Sequence, residues 1–205
     1  MGDISEHYGG SIVAMVGGDS LIVVGDRRLG MASFTVGTER SSLFVLSRKV
    51  VLGLTGFVPD CQSLHERIKK QVKMFELNEG REIEVDEVVG LVSYILYSHR
   101  KTGPLYLSPI VAGLDSENKP RAYSLDCLGY ISEYQFVTAG TACDNLTGIC
   151  EALFVEGMEV EQLFTTAMQS FLNAVDRDAL SGWGAECYIV GKEGLIRREV
   201  KGRND

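Results

Sequence analysis

The sequence predicts a layered α+β domain in which two sheets pack face to face and a pair of helices covers the outside of each. Three observations carry this. Short β-rich runs give way to two stretches with apolar residues at helical spacing, and the same order then repeats before a last pair of strands. Each helical stretch has one apolar face, and a helical layer outside each of two packed sheets would bury all of them. Neither a linker nor a fixed-period repeat divides the 205 residues, so a single domain over 1–205 is expected, large enough to bury roughly 70% of its unfolded surface.

Residues 11–16 and 21–25 read as strands separated by the hairpin composition GGDS, and 42–47 and 50–56 repeat the pattern. Asp60 is placed to cap a helix carrying Leu64, Ile68, Val72 and Phe75, which NEG at 78–80 ends. Val85, Val88, Val89, Val92, Ile95 and Leu96 give the next helix its apolar face, with Gly103-Pro104 as its stop. SPIVAGLD, RAYSLD and QFVTAG read as three further strands. Thr141 is expected to cap a helix running to about Leu153. Another follows through Val160, Leu163, Phe164, Ala167, Phe171, Leu172 and Val175, and AECYIVG and LIRREV close the chain around Lys192-Glu193-Gly194.

Composition is that of a globular protein, 45% hydrophobic and 23% charged. A net charge of −8 argues against nucleic-acid binding, because the basic pairs Arg27-Arg28, Lys69-Lys70 and Arg197-Arg198 are too short to neutralise a run of phosphates. Five scattered cysteines without a C-x-x-C pair read as reduced thiols rather than a zinc site or disulfide framework. No signal-peptide pattern or membrane-length apolar run appears, so a chain of the cytoplasm and nucleus is expected. His7, His65 and His99 sit in no catalytic pattern.

The stretch from His7 to Gly30, HYGGSIVAMVGGDSLIVVGDRRLG, raises the question of chemistry. Cleavage after Gly10 would expose Ser11 as an N-terminal nucleophile bearing its own amine. Two readings are therefore open: a self-processed N-terminal-serine hydrolase acting through Ser11, and a free-standing binding module.

GGSIVAM, VVGDRRLG, GLTGFVPD, SPIVAGLD, SLDCLGY, VTAGTACD and FLNAVDRDALSGWGAECYIV together resemble the β-type subunits of the eukaryotic 20S proteasome, the beta type-3 group in particular. The resemblance implies the four-layer αββα sandwich of the N-terminal-nucleophile hydrolases and a place in a β ring of a twenty-eight-subunit core particle. Partners would be α-type and β-type subunits, with beta type-2 and beta type-4 adjoining. Active members use an N-terminal threonine, its amine and a lysine. Aligning the D-x-R motif at Asp26-Arg27-Arg28 puts the nucleophile's position at Gly10 and the lysine's at Ser42, so the resemblance implies a non-catalytic chain that retains residues 1–9. Shifting the first strand by one residue to rescue Ser11 would exchange its faces, and it would bring no lysine. Arg40, though near in sequence, cannot serve as a base.

By the same resemblance Gly56 matches a glycine beside the substrate backbone, Thr141 the position of a serine, and Asp178 and Ser181 an ordering Asp-x-x-Ser pair. Asp126, with Tyr130 near by, would face the substrate pocket of the adjoining beta type-2 subunit, which cuts after basic residues. No cofactor is required. A structural Mg²⁺ would sit on backbone carbonyls of Val175, Asp178 and Ser181, joined by the C-terminal carboxylate at Asp205.

Overall fold

A computed structural model describes residues 4–202. A 3-10 turn (Ile4–Glu6), twelve strands and four α-helices are found there: β1 (Ser11–Val16), β2 (Ser20–Asp26), β3 (Leu29–Met31), β4 (Phe34–Gly37), β5 (Leu43–Ser47), β6 (Val50–Gly56), α1 (Val58–Glu79), α2 (Val85–His99), β7 (Leu107–Leu114), β8 (Pro120–Leu125), β9 (Ile131–Glu133), β10 (Phe136–Gly140), α3 (Cys143–Leu153), α4 (Val160–Val175), β11 (Ala185–Gly191) and β12 (Gly194–Val200). One antiparallel sheet has the order β10-β1-β2-β11-β12, the other β5-β6-β7-β8-β9, and β3-β4 forms a separate hairpin.

The layering is the expected αββα. Ile12, Ala14, Leu21 and Val23 from one sheet meet Val51, Ile110 and Ala112 from the other in the middle of the sandwich. On the outside of the first sheet Val13, Met15 and Ile22 pack under Leu146 of α3 and Leu163, Ala167 and Phe171 of α4. On the far side Leu52 and Leu54 pack under Leu64 and Ile68 of α1 and Val88 and Val92 of α2. Each buried Val, Leu, Ile, Met or Phe among them contributes roughly 1.5–3 kcal/mol. Because β1 is covered on both faces, a one-residue slip would push Met15 into the space that Ala14 fills between the sheets.

Two expected helix starts are corrected. Helix α1 begins at Val58 with Phe57 as its N-cap and a proline in the first turn, and Asp60 instead accepts the Tyr106 N–H at 2.9 Å. Proline lacks the N–H that an earlier cap would have to satisfy, so the helix starts cleanly without one. Helix α3 begins at Cys143, and the Thr141 hydroxyl donates to Asp178 Oδ2 rather than to the helix end. Helix α2 also stops at His99, ahead of Gly103-Pro104. The β3-β4 hairpin and β9, each too short to show alternation, are elements the sequence pattern did not suggest.

Candidate functional site

The residues singled out around Gly10 do converge. Strand β1 starts beside the ends of β2 and β10, with Ser11 opposite Gly140 and Ile12 opposite Gly25. Asp26, at the end of β2, is buried beneath them. Its Oδ1 accepts the Ser11 N–H and its Oδ2 the Gly182 N–H, both at 3.2 Å. A Cβ on Gly10 would lie 3.2 Å from Asp26 Oδ1 and 3.6 Å from Arg40 Nη1. A side chain at Gly10 would thus enter a cradle of one carboxylate and one guanidinium, and glycine offers none.

Ser42 lies in the same cradle, its Oγ 3.5 Å from the Asp26 carbonyl oxygen. It carries no amine. Burial pushes the Asp26 carboxyl up to about 7, outweighing the Ser11, Gly182 and Arg28 amides and the nearby Arg40 cation. The sequence shows that Arg40 cannot serve as a base but not that it stands as the cation beside Asp26, because the loop that returns it to Gly10 is fixed only by the fold.

Ser11 is fully buried within β1, and its Oγ accepts the Ala142 N–H at 2.9 Å at the start of α3. The hydroxyl serves a helix end, and its own N–H is spent on Asp26. This geometry leaves Ser11 no approach to a substrate.

The segment before Gly10 is fastened against the β3-β4 hairpin and the 178–182 loop. The carbonyls of His7 and Tyr8 accept the N–H groups of Ala32 and Gly30 at 2.8 and 3.0 Å, and the Tyr8 ring lies 5.6 Å from that of Phe57. Gly9 has a positive φ of 65°, and a Cβ there would stand 1.9 Å from the Leu180 oxygen. That oxygen already accepts Gly10 N–H at 3.1 Å and Arg28 Nη1 at 2.9 Å. Arg28, itself buried, also donates to Thr35 Oγ1 and Ala32 O, so it clasps the β3-β4 hairpin to the 178–182 loop.

Asp178 organises that loop. Its Oδ2 accepts from Ser181 Oγ at 2.6 Å and from Thr141 Oγ1 at 2.5 Å, while Oδ1 accepts the Leu180 N–H at 3.0 Å. The Asp-x-x-Ser pair is therefore an actual contact and Thr141 its third member. Gly56, at φ 120° on β6, is required by its own neighbour: a Cβ would meet Tyr106 O at 2.6 Å.

Asp126 and Tyr130 lie away from this cradle, in the turn after β8. Asp126 Oδ1 accepts the N–H groups of Leu128 and Tyr130 at 2.9 and 2.8 Å, so the residue does hold its own turn. The second oxygen takes no hydrogen bond among the described residues, and the exposed residue lines a cavity of about 340 Å³ with Tyr130, Ser132 and Cys143. Among the described residues no group of three or more His, Cys, Asp or Glu could hold a metal ion. Burial pushes the thiols of Cys61, Cys150 and Cys187 up to about 11, which leaves them protonated and unreactive.

The profile of the proteasome subunit family matches residues 6–190. Over 207 residues, all of both chains, the sequence is 41% identical to proteasome subunit beta type-3 of Saccharomyces cerevisiae. It is 38% identical to that of Picea mariana over 203 residues, 98% of this chain and 99% of the relative, and 37% identical to that of Drosophila melanogaster over 204 residues at the same coverage. With the two face-to-face sheets and the Asp26 and Asp178 shells already in place, a match of this extent leaves one assignment: the chain belongs to the proteasome subunit family.

Proposed function

We propose that this chain is a non-catalytic β subunit of the 20S core particle, completing the β ring in intracellular protein degradation, the ubiquitin-dependent route included. The observation that carries the reading is the cradle at Gly10: a buried carboxylate and a guanidinium surround a position with no side chain, and Ser42 supplies no amine. Without nucleophile or base nothing attacks an amide. In this reading protein substrates are cut only by neighbours, the beta type-2 and beta type-4 subunits adjoin the chain, and Asp126 and Tyr130 wall the beta type-2 pocket. It resides in the cytoplasm and nucleus, where thiols such as Cys61 and Cys187 stay reduced.

Val175, Asp178 and Ser181 line one cavity of about 720 Å³ at the end of α4. Backbone oxygens suit a hard cation, and the Val175 oxygen, which accepts the Asp178 N–H at 3.1 Å, retains a second lone pair. These residues fit a structural Mg²⁺, which would tie the 175–181 loop together; Asp205 lies outside the described residues.

Native mass spectrometry tests the assignment. The chain is expected in a particle of twenty-eight subunits and, expressed alone, to aggregate, since losing ring interfaces of more than ~1,000 Å² each would leave large apolar patches exposed. A freely soluble monodisperse monomer in cells would overturn it.

Asp26 gives a second expectation. Its folded pKa of about 7 lies above the ordinary 3.8, so the native state holds a proton that the unfolded chain has released. The stability contributed is complete below about pH 4 and lost as pH rises through 7, a span of about 4 kcal/mol. Asp26→Asn abolishes the titration. The melting temperature of variant particles should therefore gain on wild type between about pH 5 and 7 and level off above that, and a constant difference across this range would refute the shift.

A further inference from the structure

We propose that the open end of the sandwich holds a second, unassigned recognition point, Glu151, which takes a cationic side chain of an extended peptide already anchored opposite Asp126. The inference rests on the reading that the Asp126 face opens onto a neighbour's cleft.

Two cavities meet there. The smaller, about 340 Å³, contains Asp126. The larger, about 610 Å³, is walled by Tyr134, Phe136 and Phe154 and contains Glu151. They share Ser124, Ser132 and Thr138, so they form one trough rather than two sites. Its floor is set by pairing that leaves nothing for a ligand to displace: Ser124 lies opposite Ser132 across β8 and β9, and Thr138 Oγ1 is 2.7 Å from Thr147 Oγ1.

Helix α3 runs along the trough. Cys143 lines the Asp126 end, while Thr147 and Glu151 line the other. Residues four apart share a helix face, and eight residues at 1.5 Å each carry that stripe roughly 12 Å. An extended peptide rises about 3.3 Å per residue, so it covers the same distance in about four residues. Four is also an even number, and side chains four apart in a strand point the same way. A peptide with one side chain at the Cys143 end of the trough, the end that Asp126 also lines, would therefore present the side chain about four positions along to Glu151.

Charge selects that side chain. Among the described residues the two carboxylates are the only Asp or Glu lining the trough, and no Lys, Arg or His lines either cavity. Glu151 makes no hydrogen bond or ion pair among the described residues. Arg121, on the adjoining wall, is held by Asp115 at 3.0 Å and Glu133 at 3.5 Å. Aromatic walls around the carboxylate match the long apolar stem of lysine or arginine, whose head alone carries charge.

The test uses assembled particles carrying Glu151→Gln, Glu151→Lys or Asp126→Asn, and peptides cut after a basic residue. Lysine is exchanged for norleucine at the upstream position facing Asp126, at the position four further on, or at both. Glu151→Gln should lower kcat/KM about two- to five-fold for peptides with the distal lysine, through KM, and leave the distal norleucine peptides unchanged. Glu151→Lys should invert the distal preference. Asp126→Asn should weaken only the proximal one. If Asp126→Asn acts and neither Glu151 variant does, the distal point is refuted and the neighbour-pocket reading stands. If none of the three acts, that reading falls, and the distal point with it. A Glu151 effect of equal size on lysine and norleucine peptides also refutes the proposal, since it would report altered packing rather than charge.

Discussion

Intact mass spectrometry of this chain, taken from assembled particles, should return a polypeptide in which Gly10 is still joined to Ser11 and the residues before it remain attached. An electrophile directed at N-terminal threonines should label catalytic neighbours and leave this chain untouched. The effect is all-or-none. Self-cleavage before Ser11 would need its hydroxyl to attack the Gly10 carbonyl, yet Ser11 Oγ is fully buried and committed to the Ala142 N–H. The Gly10 carbonyl is itself an acceptor for Thr141 N–H at 3.1 Å, and no amine stands at Ser42 to take a proton. A mature N-terminus at Ser11 would overturn both the assignment of Gly10 and the non-catalytic reading.

Gly9→Ala should be a severely damaging small substitution in the site. Alanine at φ 65° costs roughly 1–2 kcal/mol in backbone strain alone. The added methyl would also stand 1.9 Å from the Leu180 oxygen, a backbone atom held by Gly10 and Arg28, so the extension or the 178–182 loop must shift. Breaking those bonds should bring the total to about 3 kcal/mol or more. The variant should incorporate poorly into particles and show rapid hydrogen exchange at Gly10, Gly30 and Ala32. Gly148→Ala is the matched control. Gly148 lies in α3 with open space where its Cβ would be, and alanine there should stabilise by up to about 1 kcal/mol. Equal behaviour of the two variants would show that the extension is not fastened as described.

The sequence by itself determined the elements whose patterns are long and locally consistent. Strands β1 and β6 fall at 11–16 and 50–56 as read, because alternating or continuous apolar runs bounded by turn residues admit one interpretation. Helix α2 shows its stripe of Val85, Val88, Val92 and Leu96 for the same reason. That Gly10 bears no side chain and Ser42 no amine was legible too, since residue type is read without a fold. What only the tertiary structure decided are the partnerships made at long sequence separation. Thr141 looks like a helix cap from its neighbours alone, yet Asp178 lies close enough to claim its hydroxyl. Ser11 looks like a nucleophile after two glycines, and a helix packed from 131 residues downstream takes its oxygen as an acceptor. Arg40 becomes the counter-charge of Asp26 only where a loop folds back, and Glu151 shares a trough with Asp126 only because β10 and α3 close the end of the sandwich. Periodicity reports which face of an element is buried. It carries no information on which distant polar atom will meet that element's ends, and in this chain the chemistry of the site is settled at those ends.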